Sequence, residues 1–277
     1  MGLLINLIIF CMIELFKIEW LKIKTYRTFW VLLVTFLIMY PLVFYFSASK
    51  FMEHQSADMK EQVLKSFLGL PFVFPKVWHS ASWFGGLFFV MIGMLFILLI
   101  TNEVQYRTHR QNIIDGWGRM DFLKAKLSLM IFFILVSTIV VFVSGFIVGL
   151  VFSDTKANIF EGIYYVGYFS LMATLYLAVA FLTAILVKRT GLSIIIYFAI
   201  VCIADNLLWL VFTIKDSQLG YFMPLEVADS LVPNPFKPGM LEKRTVSDTS
   251  LMAAVICYVS VFTFIIINYF RKTDLKT

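Results

Sequence analysis

The chain has 277 residues, 61% of them hydrophobic and 17% aromatic, with only 14% charged and a mean hydropathy of +0.89. Such values lie outside the range of soluble domains and define an integral membrane protein. The formal net charge of +6 comes from basic residues that flank apolar runs, so it speaks to topology and gives no argument for nucleic acid as a partner.

In chain order, the first eleven residues, MGLLINLIIFC, are apolar but lack the basic region and cleavage site of a signal peptide, and they are too short to span. From Met12 the stretch MIELFKIEWLKIK reads as a complete leader, which makes Met12 the expected natural start. Over residues 12–28, Ile13, Phe16, Trp20 and Ile23 recur at helical spacing among Lys17, Lys22, Lys24 and Arg27. That pattern predicts a helix lying in the membrane interface, although Leu15, Ile18 and Leu21 fall on other faces. A plain basic extension of the first span is the alternative.

A spanning helix needs about 20 predominantly apolar residues. Six stretches qualify: 29–48, 82–101, 127–152, 164–187, 192–214 and 250–270. Five carry no charge and 192–214 carries one, Asp205. Between the first two spans, Met52, Met59, Val63 and Phe67 share a helical face until Pro71 and Pro75 end the pattern. The last loop, YFMPLEVADSLVPNPFKPG, has four prolines and is expected to form short helices and turns at the membrane surface. With no internal repeat and no second soluble domain, the fold class is all-α: one helical bundle over residues 1–277.

With the N-terminus inside, the segments 1–28, 102–126, 188–191 and 271–277 hold 14 Lys and Arg against 6 acids, and the opposite segments 9 against 10. Both termini are therefore expected in the cytoplasm.

The chemistry such a chain lacks narrows its function. No GxxxxGK[ST] loop occurs, so this chain does not bind the nucleotide of a pump. Cys11, Cys202 and Cys257 have no paired spacing, and His54, His79 and His109 form no HExxH pattern, so neither a metal nor a disulfide is implied. No catalytic constellation is evident. Asp205, followed by Asn206, is the one ionisable group deep in a span, where a carboxylate costs about 2.5–3.5 kcal/mol on insertion scales. It either serves a transport pathway or joins helices by hydrogen bonds.

The remaining polar island is TNEVQYRTHRQNIIDGWGR, residues 101–119, between the second and third spans. If residues 103–115 are helical, Tyr106, Arg110 and Ile113 share one face and Gln105, His109 and Asn112 another. Gly116 and Gly118 let the chain reverse around Trp117, and Asp121 is placed to cap the next helix. A basic, amide-rich and aromatic face held at the membrane suits a protein partner; a solvated turn that serves only topology is the alternative.

The segment NEVQYRTHRQNIIDGWGRMDFLKAK resembles the stretch of ABC-2 type transporter permeases that runs Asn-Glu, an aromatic and Thr, Gln-Asn-aliphatic-Asp-Gly, then Arg and Phe-Leu-Lys. Arg107 stands where many members have glycine before the threonine. In that family the segment is a short cytoplasmic coupling helix that inserts into the ATPase. The resemblance therefore assigns coupling to Glu103, Tyr106, Arg107, Thr108, Arg110, Gln111, Ile113, Ile114, Asp115, Gly116 and Arg119. It implies a six-span permease, an exporter in a bacterial inner membrane, with a separate cytoplasmic ATPase that binds ATP and Mg and with a second permease copy or paralogue. The reading from another class is a lipid-modifying membrane enzyme or its accessory subunit, which would need a convergent polar cluster around Asp205.

Overall fold

Each of the six apolar runs forms one long helix, as a chain surrounded by lipid must do to satisfy its backbone N–H and C=O groups internally. The structure is a computed structural model and describes residues 2–53, 70–105, 118–153, 158–215, 217–236 and 246–272. The helices are α1 (Gly2–Ile23), α2 (Arg27–Glu53), α3 (Val77–Gln105), α4 (Arg119–Phe152), α5 (Tyr164–Val187), α6 (Thr190–Ile214), the short α7 (Glu226–Asp229) and α8 (Asp248–Lys272). A 3-10 turn covers Gln218–Phe222, and no strand occurs among the described residues. Helices α2 to α6 and α8 are long and apolar enough to cross a membrane.

Burial sorts these helices into a centre and a rim. Of the apolar window of α5, 67% is buried, and of α3, 56%, against 17% for α6 and α8. The two central helices pack on each other more extensively than any other pair. At Gly93 of α3 the approach of α6 is so close that a Cβ would collide with the Tyr197 hydroxyl. Ile139, Ile195, Ile214 and Phe264 on the rim face outward, as lipid-covered side chains do.

Helix α6 is interrupted. Thr190–Ala199 and Asp205–Ile214 are α-helical, but Ile200–Ala204 forms a π turn in which the Asp205 N–H reaches back to the Ile200 carbonyl. The Asn206 amide donates to the carbonyls of Val201 at 3.2 Å and Cys202 at 3.4 Å, which satisfies acceptors in the widened turn.

Helix α1 lies along α4, with the Phe132 ring 5.4 Å from Phe16 and 5.6 Å from Trp20. Its buried stripe is Leu15, Glu19 and Ile23, flanked by half-buried Phe16 and Trp20, while Ile13 is exposed. The stripe is thus turned from the one read off the sequence. Glu19 sits at its centre because a buried lysine receives it, a partner that no helical wheel includes. The chain breaks at Lys24 to Tyr26, where the Trp30 indole donates to the Lys24 carbonyl at 2.8 Å, and α2 then begins.

At the opposite end, Trp78 is fully buried and donates to the Ile159 carbonyl at 2.7 Å, and the Phe74 N–H donates to Ser153 at 2.8 Å. Met52 ends up in the last turn of α2; Met59, Val63 and Phe67 lie outside the described residues.

Candidate functional site

Two polar constellations stand out from the apolar bundle, one at each end. At the α1 end, Lys126 of α4 has no exposed surface, and neither has Glu19 of α1. The Lys126 ammonium is 2.5 Å from Glu19 and 2.7 Å from Glu103 at the end of α3, and Lys22 closes the set at 3.1 Å from Glu19 and 3.6 Å from Glu103. Two cations and two carboxylates make a neutral quartet, which is how buried charges are tolerated. Burial alone would raise the Glu19 carboxyl, but Lys126 and Lys22 outweigh it and hold it below its ordinary value.

The residue before Glu103 extends the same junction. Asn102 bonds with the Tyr26 hydroxyl at the start of α2, and the Thr190 hydroxyl at the start of α6 lies 2.9 Å from Thr101, 3.3 Å from Asn102 and 3.2 Å from Gln105. The start of the polar island is therefore the point at which α1, α2, α4 and α6 are tied to α3. Glu103, assigned by resemblance to contact with a partner, is turned into the bundle. Helix α4 begins at Arg119 with Gly118 as its cap, so Asp121 is not the capping residue but the third residue of the helix, and it accepts from the Gly118 N–H at 3.1 Å from inside the first turn. Tyr106, Arg107, Thr108, Arg110, Gln111, Ile113, Ile114, Asp115 and Gly116 lie outside the described residues.

At the other end, Asp205 is buried, and both its oxygens accept backbone bonds from the last loop: from Leu225 N–H at 3.2 Å and Glu226 N–H at 2.5 Å. These amides open α7, so Asp205 caps a short helix from across the chain. It stands nine residues before the end of α6, roughly 14 Å along the axis at 1.5 Å per residue. The loop consequently folds back beside the span, with Gly220 against Phe212 and Trp209, instead of staying beyond its end.

One turn after Glu226, Asp229 receives the Tyr176 hydroxyl of α5, 2.8 and 3.0 Å from its two oxygens. Burial pushes the Asp229 carboxyl up to about 7, the Tyr176 bond opposing and nearby Asp205 adding to the rise. The loop is held down further along by His79, whose ring nitrogen is 2.6 Å from the Pro233 carbonyl and whose ring stacks on Tyr165, and by Phe236, which sits among Phe51, Phe72, Trp83 and Phe84. Beneath the loop, between α3, α5 and α6, is a cavity of about 600 Å³ that Trp83, Tyr176, Trp209, Tyr221, Glu226 and Asp229 help to line.

Asp205 and Asn206, adjacent in sequence, thus act in different places: Asp205 on the loop and Asn206 on its own helix. Glu19, Lys126, Tyr176 and Asp229 were not singled out by the sequence. An acid centred between Leu15 and Ile23 was the available sign for Glu19; the others become visible only when distant helices are brought together.

Comparison with protein-family models, with curated proteins and with solved structures finds no match to this chain.

Proposed function

We propose that this chain is the membrane-spanning permease subunit of an ATP-driven transporter of the ABC-2 type, an exporter coupled to a separate cytoplasmic ATPase that binds ATP and Mg. The α1 end of the bundle is then the cytoplasmic end of a protein in a bacterial inner membrane, α1 lies in the interface, both termini are inside, and a second permease copy or paralogue completes the pathway.

The observation that carries this reading is the neutral quartet of Glu19, Lys22, Glu103 and Lys126. A coupling segment works only if a push on it moves the spans as a body, and here both flanks of that segment, Glu103 before it and Lys126 after it, are clamped to each other and to α1. A mere turn between two spans has no need of such a clamp. The enzyme reading draws no support from Asp205, whose oxygens are both engaged by backbone amides and are poorly placed to act as base or nucleophile.

The test is pull-down of the partner ATPase from the native host and ATP hydrolysis by the reconstituted complex. Arg110→Glu and Ile113→Asp should each weaken capture and uncouple hydrolysis, while Lys50→Gln at the opposite end should leave both intact. Isolated chain that hydrolyses ATP, or coupling variants that behave like Lys50→Gln, would overturn the reading.

A further inference from the structure

The cavity under the folded-back loop has a composition that selects its occupant. Leu87, Val90, Met172 and Val201 give it an apolar lining, and Trp83, Tyr176, Trp209 and Tyr221 an aromatic one. Two carboxylates, Glu226 and Asp229, line it, and none of its described lining residues is Lys, Arg or His. Behind them lies a third carboxylate, Asp205, whose charge acts on Asp229. The volume of about 600 Å³ is that of a small-molecule site. Aromatic faces attract cations through their quadrupole, most strongly where water is excluded, and a carboxylate at the same place adds its full charge. The acids are not arranged for a metal ion: among the described residues no three of His, Cys, Asp and Glu are grouped to hold one. An organic cation with an apolar body satisfies the apolar, aromatic and acidic parts of the lining together. A phosphate or carboxylate ligand would be repelled.

We propose that this cavity binds a lipophilic organic cation, its charge held by Asp229 beside Trp83 and Tyr176, and that such a cation is the molecule this protein transports. The assignment as cargo rests on the transporter reading above; the binding itself does not, and it is measured without the ATPase.

Among the described residues, the groups beside Asp229 are Tyr176 of α5, Tyr197, Cys202 and Asp205 of α6, and Glu226 and Ser230 on its own segment; Tyr258 of α8 donates to the Phe222 carbonyl at 2.8 Å and feels Asp205. None of these is cationic. A bound cation favours the ionised carboxylate, so binding should tighten as pH rises through about 7, where Asp229 gives up its proton.

The experiment is equilibrium binding to the full chain in a nonionic detergent, with tetraphenylphosphonium as the probe and tetraphenylborate, an anion of the same shape, as the control. The phosphonium should bind saturably and more tightly at pH 8 than at pH 6, and the borate should not bind. Asp229→Asn keeps an acceptor for Tyr176 and should lose about tenfold in affinity, together with the pH dependence. Competition by short-chain phosphatidylcholine would place the cation on a lipid head group, and absence of competition on a free solute; both support a cation site. Equal binding of phosphonium and borate overturns the proposal with no variant required, as does unchanged affinity in a folded Asp229→Asn. Failure of the ATPase pull-down with intact phosphonium binding would remove the transporter reading and leave the site.

Discussion

Replacing Lys126 with Met removes one charge from the quartet and little volume. The two carboxylates it serves, at 2.5 and 2.7 Å, then lose their nearest described cation, and Lys22, 30% exposed, is farther from both, at 3.1 and 3.6 Å. Breaking a buried pair by removing one partner costs about 3–5 kcal/mol, because an uncompensated charge remains in low dielectric. The matching change at a surface pair, Lys17→Met opposite Glu14, should cost at most about 1 kcal/mol, since both side chains there are well exposed. The geometry also requires non-additivity. Glu19→Gln removes the charge that Lys126→Met strands, so the double variant should be less destabilised than the sum of the singles by about 0.5–3 kcal/mol. Thermal unfolding in detergent measures this, and by the scaling of soluble domains a loss of this size lowers Tm by about 10 °C. Lys126→Met within ~1 kcal/mol of the parent, or strict additivity of the two losses, would refute the description of these groups as one buried, mutually neutralising set.

Further expected outcomes follow from single contacts. Asp205→Asn keeps one acceptor oxygen and leaves an α7 amide poorly satisfied, so it should destabilise by about 1–3 kcal/mol in a denaturation series, with the fold retained. Gly93→Ala drives a methyl into Tyr197 and should cost about 1–3 kcal/mol, whereas Gly167→Ala, with no neighbour within 4 Å, should be neutral or stabilising. Asp229 is raised in the folded state from its ordinary 3.8 to about 7, so its contribution to stability is full below about pH 4, declines between there and pH 7, and is gone above. The unfolding temperature should accordingly fall between pH 5 and pH 8, and Asp229→Asn should flatten the fall. Glu19 has the opposite sign: its lowered value means that stability is lost on acidification as pH falls through that value, and Glu19→Gln should remove this acid-side loss.

The spans were legible in the sequence because lipid imposes one rule on every residue of a run, and a run can be counted. The leader helix runs over Gly2–Ile23 where the periodicity marked 12–28, and its inward face was not legible. A wheel ranks Glu19 as polar and turns it outward; burial depends on Lys126, 107 residues away in the chain. Asp205 announced itself by the cost of a carboxylate in a span. Its partners did not, since backbone amides of Leu225 and Glu226 have no side-chain signature. Asp229 read as one polar residue of a loop. Only the return of that loop along α6 sets it against Tyr176 and gives the cavity its charge.

The π turn at Ile200–Ala204 adds one residue to a helix that would otherwise be regular, and one residue of an α-helix is about 100° of rotation. Everything after it, Asp205 first, is aimed by that extra step. Were the same residues wound as a regular α-helix, α6 would still be long enough to span, but the Asp205 carboxylate would swing away from the loop it caps and strand the amides of Leu225 and Glu226. Spanning needs only the length of α6, whereas closure of the cavity also needs its widened turn.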